Sequence, residues 1–354
     1  MTVDFSGNSA ASGYDIGVKL RRWPWLILLA LLIGGTAGCG SFMAQRMVQA
    51  PNSYPTWFAP EAPVWLSFHP NVFTNFARRS VSVGPPLAQL SYRVVEPADY
   101  HLTVSATNWE ADGAPRTEFE FGADLPAATN AWTAQPRGTV VLLHGYALAQ
   151  FTMMPWALQL AQEGWRCVLV DLRGHGKSSG KRIYYGLQET QDLSQLLDRL
   201  AQDGQLREPV AALGESYGAV MALRWQAVES RVRTVVAIAP YASLSNAVLN
   251  LRSEYAGWLP VAFLHAGLKK LPGVWGTTAA ELDTTTVLSR HPVRALFVAA
   301  DADEIAPVSE VRQLSALAAP GSQLVVVPRS THETVTYRFA DLVEPVTAWL
   351  LDNR

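Results

Sequence analysis

A short apolar run at 210–213 ends in Gly214-Glu215-Ser216-Tyr217-Gly218 and gives way to a helical run at 217–228. Few folds accept that junction. A serine flanked two positions away on either side by glycine fits a turn too tight for side chains at those points, and the turn pushes the hydroxyl out of the sheet towards a helix N-terminus. The junction therefore requires a strand inside a sheet, a helix packed on that sheet, and a loop open to solvent between them. Serine at its own pKa is a poor nucleophile and needs a base oriented by a third group. With a nucleophile on such a turn, the acid and then the histidine follow it in the chain.

The rest of the chain supplies the sheet. Apolar strand-like runs at 139–143, 166–170, 210–213, 234–239, 294–299 and 323–327 alternate with helical runs at 151–163, 188–202, 217–228, 307–318 and 341–351. Continuous apolar strands between amphipathic helices predict a mostly parallel sheet covered on both faces, an α/β class. Residues are 49% hydrophobic and 16% charged, enough apolar material for one large core. Runs at 101–106 and 117–121 alternate like early antiparallel strands. Between 240 and 292 the pattern is helical without a clear strand, and an insertion at about 243–292 is expected to lie over the strand ends as a lid. It carries Tyr255, Trp258, Leu259, Val261, Phe263, Leu264 and Leu268. Residues 40–90 are dense in proline and aromatic side chains. They read as an extended arm with one short helix at 71–79, packed on the main body or set at a membrane interface. The main domain is expected over 91–352.

After Ser216, His332 is the histidine that follows a strand, just beyond 323–327; His265 and His291 fall in the insertion. The loop after 294–299 reads Ala300-Asp301-Ala302-Asp303-Glu304-Ile305-Ala306-Pro307. Asp303 is the favoured acid, Asp301 its nearest rival, and Glu304 is expected to face solvent. His144-Gly145-Tyr146 follows the first parallel strand and Asp171-Leu172-Arg173-Gly174-His175-Gly176-Lys177-Ser178-Ser179-Gly180 the next. With these motifs in order, residues 92–352 resemble the α/β-hydrolase superfamily, in particular its monoacylglycerol lipase and serine aminopeptidase-like branch. That resemblance implies a Ser216–His332–Asp303 triad and an oxyanion hole from the backbone N–H groups of Tyr146 and Tyr217. It also implies two-step acyl transfer with no metal or cofactor. His144 and His175 then read as structural. Glu215 and Tyr217 stand where the family more often has His and Met, and Ala300 where glycine is frequent.

The expected substrate is a small acyl ester, such as a lysophospholipid or monoacylglycerol. A peptidase, with Glu254 or Glu281 meeting a substrate ammonium, an acyltransferase, and a degenerate hydrolase acting as an envelope binding protein are the alternatives. A net charge of −2 gives no electrostatic basis for nucleic-acid binding. Cys39 and Cys167 lie too far apart in the pattern for a disulfide framework, and no Cys/His spacing suits zinc. Lys19, Arg21 and Arg22 precede an apolar run at 23–38, whose small residues lead into Cys39. This pattern resembles a bacterial lipobox with Cys39 as the lipidated residue; an uncleaved membrane anchor and an ordinary cleaved signal are the alternatives. Each predicts export to the bacterial cell envelope. The long polar prefix 1–17 makes Val18 a candidate start.

Overall fold

The computed structural model describes residues 36–54, 64–68, 76–111, 113–124 and 135–353. Its main sheet has eight strands in the order β11-β10-β9-β8-β6-β7-β3-β2. These are β2 (Arg79–Val83), β3 (Ala88–Val95), β6 (Thr139–Leu143), β7 (Arg166–Val170), β8 (Val210–Glu215), β9 (Val232–Ile238), β10 (Ala295–Ala300) and β11 (Gln323–Val327). From β7 through β11 every pairing is parallel, whereas β3 joins β7, and β2 joins β3, antiparallel.

Strand β6 shows why the sheet needs two covers. Val140 and Leu142 point into one core layer with α2 (Met154–Gln162) and α10 (Phe339–Asp352). Val141 and Leu143 point into the other, with α3 (Glu189–Gln202), α4 (Tyr217–Gln226) and α9 (Val308–Leu317). All four side chains are fully buried, so an apolar residue is needed at every position and not at alternate ones. The chain leaves β6 towards β7 on one side and returns as β8 on the other. That reversal opens a crevice at the carboxyl ends of β6 and β8, where ligands of open α/β sheets bind. Leu143 and Gly214 are register partners at its floor.

A second, three-stranded sheet has the order β1-β5-β4, formed by β1 (Val64–Phe68), β4 (His101–Ala111) and β5 (Ala114–Asp124). The alternation at 101–106 and 117–121 thus marks a real antiparallel hairpin, but one outside the main sheet. Phe119 and Phe121 of β5 pack on Tyr337, just after the loop that carries His332.

The expected arm at 40–90 differs from the structure. Strand β2 begins at Arg79, and β3 runs through the boundary expected at 90 and 91, so the main sheet starts earlier than the apolar pattern shows. Arg79, the last residue of the expected short helix, opens β2; residues 71–75 lie outside the described residues. Helix α1 (Thr36–Met47) occupies the start of the arm, where proline density argued for extended chain. The prolines begin only at Pro51, after the helix has ended. A Cβ on Gly40 would lie 2.9 Å from the Ala266 carbonyl oxygen, and one on Gly267 2.5 Å from Met43 Cγ. Glycine at these two points lets α1 seat directly on α6 (Val261–Lys270). That helix belongs to the run α5 (Leu244–Tyr255), α6, α7 (Ala279–Leu282) and α8 (Thr284–Arg290) that links β9 to β10. The basic and apolar N-terminal segment at 1–35 lies outside the described residues. Among those described, no helix is long and apolar enough to cross a membrane.

Candidate active site

Ser216 caps α4 at the end of β8 with φ 49° and ψ −113°. Positive φ is costly for a residue with a Cβ, and such strain persists only where the surroundings enforce it. Here they do. The Ser216 N–H donates to Ile238 O at 2.8 Å, which fixes the turn to β9. A Cβ on Gly214 would fall 2.3 Å from the Gly218 carbonyl, and one on Gly218 2.1 Å from the Leu143 oxygen. Both glycines are therefore steric necessities.

The structure brings the three expected side chains into one line. Ser216 Oγ lies 2.8 Å from His332 Nε2, and His332 Nδ1 lies 2.8 Å from Asp303 Oδ2. The other Asp303 oxygen accepts the N–H groups of Ile305 and Ala306 at 2.8 and 2.7 Å, and the carboxylate is wholly shielded from solvent. Burial opposes the charged form of His332, but the hydrogen bond and charge of Asp303 outweigh it. With Glu333 and Glu215 adding to that pull, the imidazole pKa rises above its ordinary value. Asp301 faces solvent and accepts the Ser330 N–H at 3.1 Å, so it braces the loop before His332 and does not touch the ring. Glu304 is exposed, as are His265 and His291.

Tyr146 and Tyr217 follow β6 and Ser216. Neither N–H has a hydrogen-bond acceptor among the described residues. Their side chains turn the other way. The Tyr146 and Tyr217 rings sit 6.2 Å apart and both contact the His175 ring, at 5.9 and 5.6 Å. His144 Nε2 accepts the Leu172 N–H at 3.0 Å while Nδ1 meets the Gly145 carbonyl at 2.8 Å, an arrangement that fits only the neutral ring with its proton on Nδ1. Burial pushes its pKa down to about 4. His175 is buried likewise, and burial with the nearby His144 lowers its pKa to about 3. Asp171 ties the two loops together by accepting the Gln150 N–H at 2.7 Å and the Lys177 N–H at 3.0 Å.

Of the carboxylates considered for a substrate ammonium, Glu281 is paired with Arg290. Glu254 lies against Glu304, whose hydrogen bond raises the Glu254 carboxyl, and near Glu333. The Tyr255 hydroxyl donates to Glu333, the neighbour of His332 in the chain. Sequence reasoning gave no role to Asp171 or Glu215. Asp171 carries a usable signal, since an Asp opening a Gly-rich turn commonly caps backbone N–H groups. Glu215 occupies the free position of the five-residue motif and carries none. Cys39 lies in the first turn of α1, part-exposed.

The family model for serine aminopeptidase, S33 (Hydrolase_4) matches residues 134–289. That span holds Ser216 and both loops but ends before Asp303 and His332. The chain is similar to the uncharacterized protein YqkD of Bacillus subtilis, with 28% identity over 183 residues, 50% of this chain and 58% of the relative. The match thus spans little more than half the length of that relative. In fold the chain is similar to the Pyrococcus furiosus esterase Pf2001, at TM-score 0.56 and 18% identity over 78% of this chain and 93% of that one. It is also similar to the α/β hydrolase GrgF of Penicillium, at TM-score 0.53 and 13% identity over 78% of this chain and 99% of that one. Strand order, the turn at Ser216 and these matches agree: the chain has the α/β-hydrolase fold, and its residues 134–289 match the serine aminopeptidase model.

Proposed function

We propose that this protein is a serine hydrolase that cleaves carboxylic esters through an acyl-enzyme on Ser216. The observation that carries the reading is the unbroken line Ser216–His332–Asp303, with 2.8 Å at each hydrogen bond. In the proposed reaction, His332 Nε2 takes the Ser216 proton as Oγ attacks the ester carbonyl. Asp303 holds Nδ1–H and stabilises the imidazolium that forms. The N–H groups of Tyr146 and Tyr217 receive the oxyanion, each contributing about 3 kcal/mol. The imidazolium then protonates the leaving alkoxide. A water, deprotonated by the same Nε2, attacks the acyl-enzyme, and the acid leaves as Ser216 regains its proton. No step draws on a metal or cofactor.

A lysophospholipid, a monoacylglycerol or a similar acyl ester is the proposed substrate class, supported by Trp258 and Val261, which are exposed where α5 leads into α6 in the segment proposed as a lid. A second reading, a peptidase acting at a free N-terminus, is favoured by one observation: Glu254 lies against Glu304 and near Glu333, the chain neighbour of His332, and a substrate ammonium would find countercharge there. A panel of p-nitrophenyl esters of increasing chain length and of aminoacyl-naphthylamides separates the two. Ester turnover that disappears in Ser216→Ala supports the first reading; turnover of the amides alone supports the second. Inactivity on both, or an undiminished Ser216→Ala variant, overturns both. The proposed place of action is the bacterial cell envelope, tethered through lipid on Cys39 or through the apolar segment before it. Cell fractionation of wild type and Cys39→Ala tests the lipid tether, which fails if lipid labelling persists in the variant.

A further inference from the structure

The oxyanion loop is a short stretch of backbone whose aim decides whether the Tyr146 N–H does any chemistry. Two side chains grip it from behind. His144 Nδ1–H donates to the Gly145 carbonyl at 2.8 Å. In a trans peptide the carbonyl and the next N–H point in opposite directions, so this bond aims the Tyr146 N–H the other way. The second grip is a carboxylate. Glu215 Oε1 accepts the Gly145 N–H at 3.2 Å and the Thr152 hydroxyl at 3.4 Å. Only 6% of Glu215 is exposed.

A carboxylate buried next to an apolar core is expensive unless it is well paired. Desolvation does raise the Glu215 carboxyl, while its bonds to Thr336, Gly145 and Thr152 and the nearby His332 work against that rise. A purely structural filler for this space would be apolar. The side chain also sits one residue before the nucleophile, on the rigid end of β8, so it links the loop after β6 to the strand that carries Ser216. Any slip of the His144–Gly145 peptide, the unit just before the one that carries the Tyr146 N–H, relative to Ser216 must break its bond.

We propose that Glu215 is a positioning residue that locks the His144–Gly145 peptide to the nucleophile strand and so, with His144 holding the Gly145 carbonyl, sets the Tyr146 N–H in the oxyanion hole. The inference rests on the serine-hydrolase reading above. It concerns stabilisation of the tetrahedral state, not binding of the ester, so its signature is a loss in kcat with KM held. Removing one oxyanion donor outright costs about 10²–10³ in kcat. A donor left present but unaimed should cost less, about 30- to 100-fold.

The test compares wild type, Glu215→Met, which fills the volume without an acceptor, and Glu215→Gln, which keeps a neutral acceptor. A p-nitrophenyl ester reports kcat and KM, and a trifluoromethyl ketone, which forms an oxyanion on the serine, reports affinity for the tetrahedral state. Glu215→Met is expected to lose about 30- to 100-fold in kcat and the same factor in ketone affinity, with KM within about threefold. Glu215→Gln should recover most of this, falling only about two- to fivefold short of wild type because a neutral acceptor is weaker. Glu215→Met within twofold of wild type, or a loss confined to KM or to thermal stability, overturns the inference. Should Glu215→Met not fold, Glu215→Gln decides: equality with wild type in both kcat and ketone affinity overturns it. An inactive wild type overturns the hydrolase reading itself, a result distinct from an active wild type with an indifferent Glu215.

Discussion

His175 makes a sharp test because its ring is buried with one nitrogen satisfied and one not. Nδ1 meets the Arg173 carbonyl at 2.9 Å, while Nε2 has no partner among the described residues. The folded protein holds this ring neutral, with its pKa lowered to about 3, whereas the unfolded chain takes up the proton near pH 6.5. The sign follows directly. Above pH 6.5 neither state binds the proton and His175 confers its full stability. As the pH falls below 6.5, only the unfolded state is protonated, and stability is lost at about 1.4 kcal/mol per unit until the folded pKa is reached. Between pH 6.5 and 5 that amounts to about 2 kcal/mol. His175→Phe keeps a ring against His144, Tyr146 and Tyr217 and removes the titration. It also removes the bond to Arg173, at a cost of about 1 kcal/mol. The variant is therefore expected to be about 1 kcal/mol less stable than wild type at pH 7 and about 1 kcal/mol more stable at pH 5. Urea unfolding followed by tryptophan fluorescence at the two pH values reads the difference. His144 titrates in both proteins and largely cancels. A gap of the same sign and size at both pH values would refute the burial argument.

Three further outcomes are expected. Asp303→Asn should lower kcat about 10⁴-fold by losing the tautomer that Asp303 enforces, while Asp301→Asn, whose carboxylate meets backbone N–H groups such as that of Ser330 and not the His332 ring, should stay within a few-fold of wild type; the reverse ranking would reassign the acid. Because His332 must be neutral to act as base and its pKa is raised, kcat/KM should climb with pH through a midpoint above 6.5, and the residual activity of Asp303→Asn should show a lower midpoint, read from full pH profiles. Gly218→Ala should yield no folded protein on expression, since its Cβ would meet the Leu143 oxygen at 2.1 Å; soluble, active protein from that variant would contradict the packing of α4 on β6.

How much of this was legible in the sequence depended on what each segment packs against. Strands β6 to β10 are almost wholly buried on both faces, and their apolar runs announce them; β11, half-buried at the sheet edge, still reads from its apolar run Leu324 to Val327. At the turn around Ser216, Gly214 is required by sterics within five residues and Gly218 by the Leu143 oxygen of the neighbouring strand, and the motif shows both glycines directly. Asp303 could be preferred over Asp301 from its place in the loop, but the reason is three-dimensional: Asp303 turns inward onto two backbone N–H groups and His332, and Asp301 outward onto Ser330. The segments that escaped owe their structure to distant partners. Helix α1 has a small-residue sequence that reads as a processing site, and its seat is a groove on α6 made by Gly267. Strand β1 pairs in parallel with β5, from Val64 opposite Thr117 to Phe68 opposite Phe121, a partner more than fifty residues away that no local period reveals. Strand β2 does alternate, with Ser80 and Ser82 exposed and Val81 and Val83 buried, but only over four residues at the sheet edge inside a segment read as an extended arm. Glu215 was hidden because a motif leaves its second position free, and only the neighbouring loop gives that position work.

The central claim is that Ser216 is the nucleophile of this fold, activated by His332. Labelling the pure protein with a fluorophosphonate and mapping the adduct by peptide mass spectrometry tests it most directly. The expected result is one adduct per chain, on Ser216, absent in Ser216→Ala and slowed at least a hundredfold in His332→Ala. An adduct on any other residue, or equal labelling of wild type and Ser216→Ala, would contradict the account.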